Sequence, residues 1–283
     1  MSGDHVTLFE VGPRDGLQSL QIQVPTSDKI ALIDALGHTG LTRIEAASFV
    51  SPRWVPQMAD AVEVMTGIAR ARGVRYAALT PNMRGFDAAV AANVDEVAVF
   101  ASASEGFSQA NLNCTIEESF ARFAPVLEAA RAADLPVRGY LSAVIACPYD
   151  GSTSPKQVAD LASRLIDIGC YEVSLGDTIG AGSQATAHAL FDAVLDAVPA
   201  SQLAGHFHDT QGTALEMVRV GLARGLRVFD SSIAGLGGCP YAPGAPGNVA
   251  TETLVRLCAD HGYHTGIDWN MLTHCVALSR RMV

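Results

Sequence analysis

The sequence predicts an α/β fold closed as a (β/α)8 TIM barrel with a short C-terminal helical extension. Eight short apolar, β-branched runs recur along the chain, and each is followed by a segment with helical periodicity. Strand and helix in alternation imply a parallel sheet, because each helix supplies the crossover. The 283 residues contain no Ser/Gly-rich linker and no shift in composition. Residues 1–283 therefore read as one domain, a size that suits the roughly 250 residues of eight such units.

The runs lie at 6–11, 43–47, 74–79, 96–100, 137–145, 171–175, 203–208 and 228–233. The first opens into Gly12-Pro13-Arg14-Asp15-Gly16. That is not the G-x-G-x-x-G turn of an open doubly wound sheet, so the closed barrel is preferred. The second run carries Glu45 among Ile44, Ala46 and Ala47. In the fourth helical segment, Thr115-Ile116-Glu117-Glu118 reads as a capping box ahead of Phe120, Phe123 and Leu127. In the fifth, Ser154 is placed to cap, Pro155 suits the first helical position and Gly169 follows the last turn. Its Val158, Leu161, Ala162, Leu165 and Ile166 form one apolar stripe.

Composition removes several classes. With 49% hydrophobic and 17% charged residues, the chain is not disordered. A net charge of −10, from 19 basic and 29 acidic residues, argues against general affinity for nucleic acid or an anionic membrane. No apolar stretch approaches the ~20 residues of a membrane span, and the N-terminal residues run into the first strand without a signal peptide. Six cysteines (114, 147, 170, 239, 258, 275) form no C-x-x-C pair and no zinc spacing, which predicts reduced thiols and a cytoplasmic protein.

In such a barrel, chemistry belongs in the loops that follow the strands. Arg14 and Asp15 follow the first, Asp177 the sixth, and His206 and His208 close the seventh; Asn248 and Glu252 stand where the last barrel helix begins. Residues i and i+2 of a strand face the same way, so both imidazoles address one spot. With Asp15 and Asn248 at the same barrel end, a cation is preferred over two histidines merely satisfied by neighbours and water. The mixed N and O donors do not choose among magnesium, manganese and zinc. Arg14 beside Asp15 is either a surface ion pair or part of the site. A buried Glu45 needs a partner, and Arg14 is the nearest candidate, which would hold a fixed guanidinium ready for an oxyanion. Cys239 lies in a Gly- and Pro-rich stretch, 235–247. It reads either as a lid thiol able to act as acid or base, or as an exposed thiol in a flexible loop. The only lysines, Lys29 and Lys156, fall in helical segments. A Schiff-base aldolase needs a lysine at the mouth, so metal-assisted chemistry is favoured.

These residues carry a family resemblance. Glu10-Val-Gly-Pro-Arg-Asp-Gly-Leu-Gln18 resembles the first-strand motif of the hydroxymethylglutaryl-CoA lyases, and Glu45 through Met58 resembles their second block. Ser174–Gly180, His206–Gly212 and the stretch Gly235–Glu252 around Cys239 are similar to three more. The Arg-Asp and Glu elements are shared with a wider metallolyase superfamily that includes isopropylmalate synthases and ketoacid aldolases; the Cys239 loop is narrower. The resemblance implies a pyruvate carboxyltransferase-like barrel that cleaves 3-hydroxy-3-methylglutaryl-CoA to acetyl-CoA and acetoacetate. It implies Asp15, His206, His208 and Asn248 as ligands to Mg2+ or Mn2+, and Arg14, positioned by Glu45, as the stabiliser of the thioester enolate. Cys239 or His206 would transfer the proton, assisted by Asp177 and Glu252. An acyl-CoA thioester is the implied partner, in a homodimer. The sequence does not locate its phosphate contacts: Arg53 and Arg84 are available, but surface arginines usually only solvate a face. Ser19-Leu20-Gln21 and Pro246 depart from the family pattern. A lyase for a longer 3-hydroxy-3-alkylglutaryl-CoA, a related metal aldolase, and a non-catalytic barrel are the alternatives.

Overall fold

The computed structural model describes residues 5–239 and 242–282 apart from the side chains at 239 and 242–246. The barrel strands are β1 (Thr7–Glu10), β2 (Arg43–Ser48), β3 (Arg75–Leu79), β4 (Glu96–Ser102), β5 (Val137–Ser142), β6 (Glu172–Asp177), β7 (Leu203–Phe207) and β8 (Val228–Ser231). All are parallel, and each pairs with its neighbours in sequence. The ring closes where β1 pairs with β8, in register from Thr7–Val228 to Glu10–Ser231.

Around it run α1 (Thr26–Gly37), α2 (Ala61–Gly67), α3 (Met83–Ala91), α4 (Glu105–Leu112), α5 (Ile116–Ala132), α6 (Pro155–Asp167), α7 (Gln184–Leu195), α8 (Ala214–Ala223) and α9 (Thr251–Asp260). The C-terminal extension is α10 (Trp269–Ser279), which packs on α1. The Thr115–Glu118 capping box forms with both of its bonds. Ser154 is the N-cap of α6 but makes no side-chain capping bond, so Pro155 alone marks that start. The crossover from β4 to β5 holds two helices where periodicity showed one. β5 ends at Ser142, not at 145, because Ala143 takes a φ of 58° and leaves the extended region.

The lower interior of the barrel differs from the apolar filling that the strand pattern suggests. Near the strand starts, Arg43 pairs with Glu172 at 3.1 Å and Glu96 at 3.3 Å, and Arg138 pairs with Glu172 at 2.7 Å. Both guanidiniums also lie against the Phe9 ring, each 4.4 Å from its centroid. Each of these buried charges has an opposite charge within reach, without which its desolvation cost would stand uncompensated. Among the described residues no helix is long and apolar enough to cross a membrane. Cys114, Cys147, Cys170, Cys258 and Cys275 are free and buried.

Glu10 ties three elements where the barrel closes. It accepts from the amides of Gly12 and Ile233, both at 2.8 Å, and meets Thr251 Oγ1 on α9 at 2.6 Å. Burial pushes its carboxyl up to about 7, against those hydrogen bonds, with the nearby Glu252 charge adding to the rise. The unfolded chain releases this proton near 4.5 and the folded chain near 7. Between those values the folded state binds more protons, so stability falls as pH rises, by on the order of 3 kcal/mol in all. Glu10→Gln mimics the protonated acid at every pH. The mutant should therefore show a smaller loss of Tm between pH 5 and pH 8 than the parent; equal losses would remove Glu10 from the pH response.

Candidate active site

Val11 O accepts the amides of Arg14 (3.1 Å), Asp15 (2.7 Å) and Gly16 (3.3 Å), which winds Gly12–Gly16 into one tight π-helical turn. A Cβ on Gly12 would lie 2.6 Å from Glu10 Oε1, and one on Gly16 would lie 2.8 Å from Leu236 Cβ. Glycine is needed at both because this turn presses against the Glu10 carboxylate and the segment after β8. Arg14 and Asp15 are thereby presented side by side at the barrel mouth.

The predicted Arg14–Glu45 pair is formed. Arg14 Nε donates to Glu45 Oε2 at 2.6 Å, Nη2 lies 2.5 Å from the same oxygen, and Nη1 donates to Asp15 Oδ1 at 2.6 Å. Tyr140 on β5 donates to Glu45 Oε2 at 3.1 Å, and its ring lies 5.4 Å from the guanidinium carbon. Burial alone would lower the guanidinium pKa, but Glu45 and Asp15 raise it further than burial lowers it. Arg14 is thus a permanently charged, immobilised donor.

Asp15, His206 and His208 each offer one ligand atom, and those atoms lie within 4.8 Å of one another. The two imidazole centroids are 5.4 Å apart, as expected for i and i+2 at a strand end. Asn248 reaches the same place and donates from Nδ2 to Asp15 Oδ2 at 2.7 Å. The chemistry of these groups fits a divalent cation. Burial tends to raise the Asp15 carboxyl, but Arg14, His206 and His208 hold it at about 2, so it is ionised. Burial and the neighbouring His206 lower His208 to about 4, so its ring is neutral, as a ligand must be. His208 Nδ1 is buried with no hydrogen-bond partner. One guanidinium faces two carboxylates here, so the mouth also has negative charge left to balance.

Asp177 and Glu252 serve the loops that frame this cluster. Asp177 accepts from the amides of Ala181 (3.0 Å) and Gly182 (2.7 Å), and burial raises its carboxyl despite them. Glu252 accepts from Ala234 N at 3.1 Å and steadies a residue held at φ 55°. The Cys239 side chain lies outside the described residues. Its backbone belongs to a two-stranded antiparallel ribbon, Gly238–Cys239 with Ala242–Pro246, whose register shifts between Gly238 and Cys239, within the Gly/Pro-rich stretch that reads as a lid or flexible loop. Ser19, one of the departures from the family pattern, accepts from Gly238 N at 3.1 Å and so ties the first loop to this ribbon.

Asp230 on β8 is a residue that the sequence reading passed over. It meets His206 Nδ1 at 3.1 Å and accepts from Arg138 Nη2 at 2.6 Å and Ser174 Oγ at 2.8 Å. A lone carboxylate inside an apolar strand was the signal that marked Glu45, and Val228-Phe229-Asp230-Ser231 carries the same signal. Tyr140 gave no such signal, since tyrosine is common in strands.

Comparison with known proteins adds a family. The model of the HMGL-like family matches residues 5–278. The 3-hydroxy-3-isohexenylglutaryl-CoA/hydroxy-methylglutaryl-CoA lyase of Pseudomonas aeruginosa is 56% identical over 267 residues, covering 94% of this chain and 89% of its own. The mitochondrial hydroxymethylglutaryl-CoA lyase of Gallus gallus is 54% identical over 281 residues, 98% of this chain and 94% of its own. The crystal structure of the HMG-CoA lyase from Brucella melitensis matches with a TM-score of 0.97 at 55% identity, covering 98% of each chain.

Proposed function

The chain belongs to the HMGL-like family, and from that premise we propose that it is a single-domain lyase that cleaves 3-hydroxy-3-methylglutaryl-CoA to acetyl-CoA and acetoacetate. The observation that carries the reading is the meeting of Asp15, His206 and His208 beside an arginine locked by Glu45. The chain is also more than half identical to named lyases over nearly its whole length, which supports the same reading.

Asp15, His206, His208 and Asn248 would hold the cation, which we assign as Mg2+ or Mn2+ on the family resemblance, the mixed oxygen and imidazole donors being compatible with either. When bound, it supplies Lewis acidity that lowers the pKa of the substrate's tertiary alcohol. The remaining steps fall to the protein. Loss of the C3 hydroxyl proton to a base at the mouth lets the C2–C3 bond break, the electron pair passing to C2 and the thioester carbonyl. Acetoacetate departs, and Arg14, fixed by Glu45 and Tyr140, stabilises the enolate oxygen that remains. Protonation at C2 completes acetyl-CoA. The proton is assigned to Cys239, because His206 Nδ1 already bonds Asp230 and its other ring nitrogen faces Asp15. Asp177 and Glu252 support the reaction by holding their loops. The homodimer rests on the family resemblance, and the cytoplasmic setting on the unpaired buried cysteines.

Acetoacetate release from the branched thioester, with and without chelator, tests this. Release that stops with EDTA and returns with Mn2+ is expected; no release from the metal-loaded protein sinks the proposal. Running 3-hydroxy-3-isohexenylglutaryl-CoA alongside, with acetyl-CoA release as the readout common to both substrates, decides chain length, and faster turnover of that substrate would move the assignment to it. In the same assay Cys239→Ala should lose most turnover while still binding Mn2+, and unchanged kcat would take the thiol out of the proton step.

A further inference from the structure

Asp230 is where the buried ion network of the barrel interior meets the mouth. Arg138 grips both of its oxygens, Nη2 to Oδ1 at 2.6 Å and Nη1 to Oδ2 at 3.0 Å. Arg138 is in turn held by Glu172 at 2.7 Å. Ser174 Oγ adds a third donor, to Oδ2 at 2.8 Å. Asp230, Arg138 and Ser174 are all buried. A carboxylate clamped by a bidentate guanidinium is ionised, and an ionised carboxylate only accepts hydrogen bonds.

The fourth neighbour of Asp230 is His206, with Nδ1 3.1 Å from Oδ2. Because the carboxylate cannot donate, Nδ1 must carry the hydrogen. In a neutral imidazole the proton is then absent from Nε2, the nitrogen that lies 3.9 Å from Asp15 Oδ2. The Tyr140 ring meets the imidazole edge-on, at 6.2 Å between centroids and 85° between planes, and restrains its rotation. His208 has no such support: its Nδ1 has no hydrogen-bond partner. Of the two histidines, only His206 has its tautomer imposed by the fold.

We propose that Asp230 is a positioning residue that, anchored by Arg138 and Glu172, fixes His206 in the Nδ1–H tautomer and presents Nε2 as a ready-made donor atom to the cation. This rests on the reading of the mouth as a cation site. A ligand whose lone pair already points at the site does not have to lose a proton or turn its ring when the cation arrives. Outer-sphere partners of this kind change metal affinity by about 10–100-fold.

Two measurements test it on the whole protein. Long-range 1H–15N correlation spectra of the metal-free parent report the tautomer of each histidine without involving activity. His206 should show a proton on Nδ1 and none on Nε2, and an Nε2–H tautomer would overturn the proposal. In Asp230→Asn, one amide oxygen replaces two carboxylate oxygens and cannot serve Arg138, Ser174 and His206 together. Titration with Mn2+ should then show an affinity about 10–100-fold weaker than that of the parent; equal affinities would overturn the proposal. If the parent itself binds no Mn2+, the cation reading fails, while the spectra still decide whether His206 holds the Nδ1–H tautomer that its bond to Asp230 requires. The spectra require no variant to fold.

Discussion

Arg14→Lys should lower kcat by about 10²- to 10³-fold with a much smaller change in KM, the loss seen when a preorganised oxyanion donor is removed. The positive charge survives the substitution, so the expected loss is one of geometry. Arginine meets Glu45 through Nε and Nη2 and Asp15 through Nη1 from one rigid plane. A lysine ammonium is a single point on a flexible stem and cannot hold both carboxylates while facing the enolate. Lysine is also the gentler replacement. A neutral side chain would leave Glu45 buried and unpaired, at a cost of about 3–5 kcal/mol. Steady-state kinetics on the Mn2+-loaded enzyme are the measurement, and a kcat within tenfold of the parent would show that Arg14 does not stabilise the transition state.

His208→Ala should weaken Mn2+ binding by at least about 100-fold, the upper end of what even outer-sphere changes produce, and activity at limiting metal should fall with it. The fold should survive. His208 Nδ1 has no hydrogen-bond partner, and the ring is kept neutral by burial at some cost, so little that stabilises the protein is lost. Calorimetric titration of the metal-free variant gives the affinity directly. An unchanged value would remove His208 from the ligand set whatever happens to turnover. His208→Ala tests a ligand itself and Asp230→Asn the support of its neighbour, so the first should have the larger effect.

Much of the site was legible in the sequence because strand geometry is local. His206 and His208 share a face by the two-residue repeat, and a carboxylate in an apolar run, Glu45, had to find a cation. The same argument applied to Asp230 would have found its importance, though not its partner. The charged residues at the strand starts, Arg43, Glu96, Arg138 and Glu172, were illegible for another reason. A single charge at the end of an apolar run reads as the solvated edge of a strand. Only the closed barrel shows that these ends face one another in a dry interior. Glycines and prolines in 235–247 point to a lid or flexible loop and do not show that Gly238–Cys239 pairs with Ala242–Pro246 as a short ribbon.

The sequence alone determined the eight strand–helix units, the end of the barrel that carries the chemistry, the absence of a mouth lysine and the donor types for a cation. Each of these follows from periodicity, or from which residue stands at which strand end. Beyond the Arg14–Glu45 pair that the sequence suggested, the tertiary structure decided the pairings: Glu45 with Tyr140, Asp15 with Asn248, Glu10 with Ile233 and Thr251, and His206 with an Asp230 held from β5 and β6. Those choices depend on the register in which β1 closes against β8 and on which side chains the closed ring removes from water. A buried polar group must take whatever partner the closed ring places within reach, and chain order does not specify that partner.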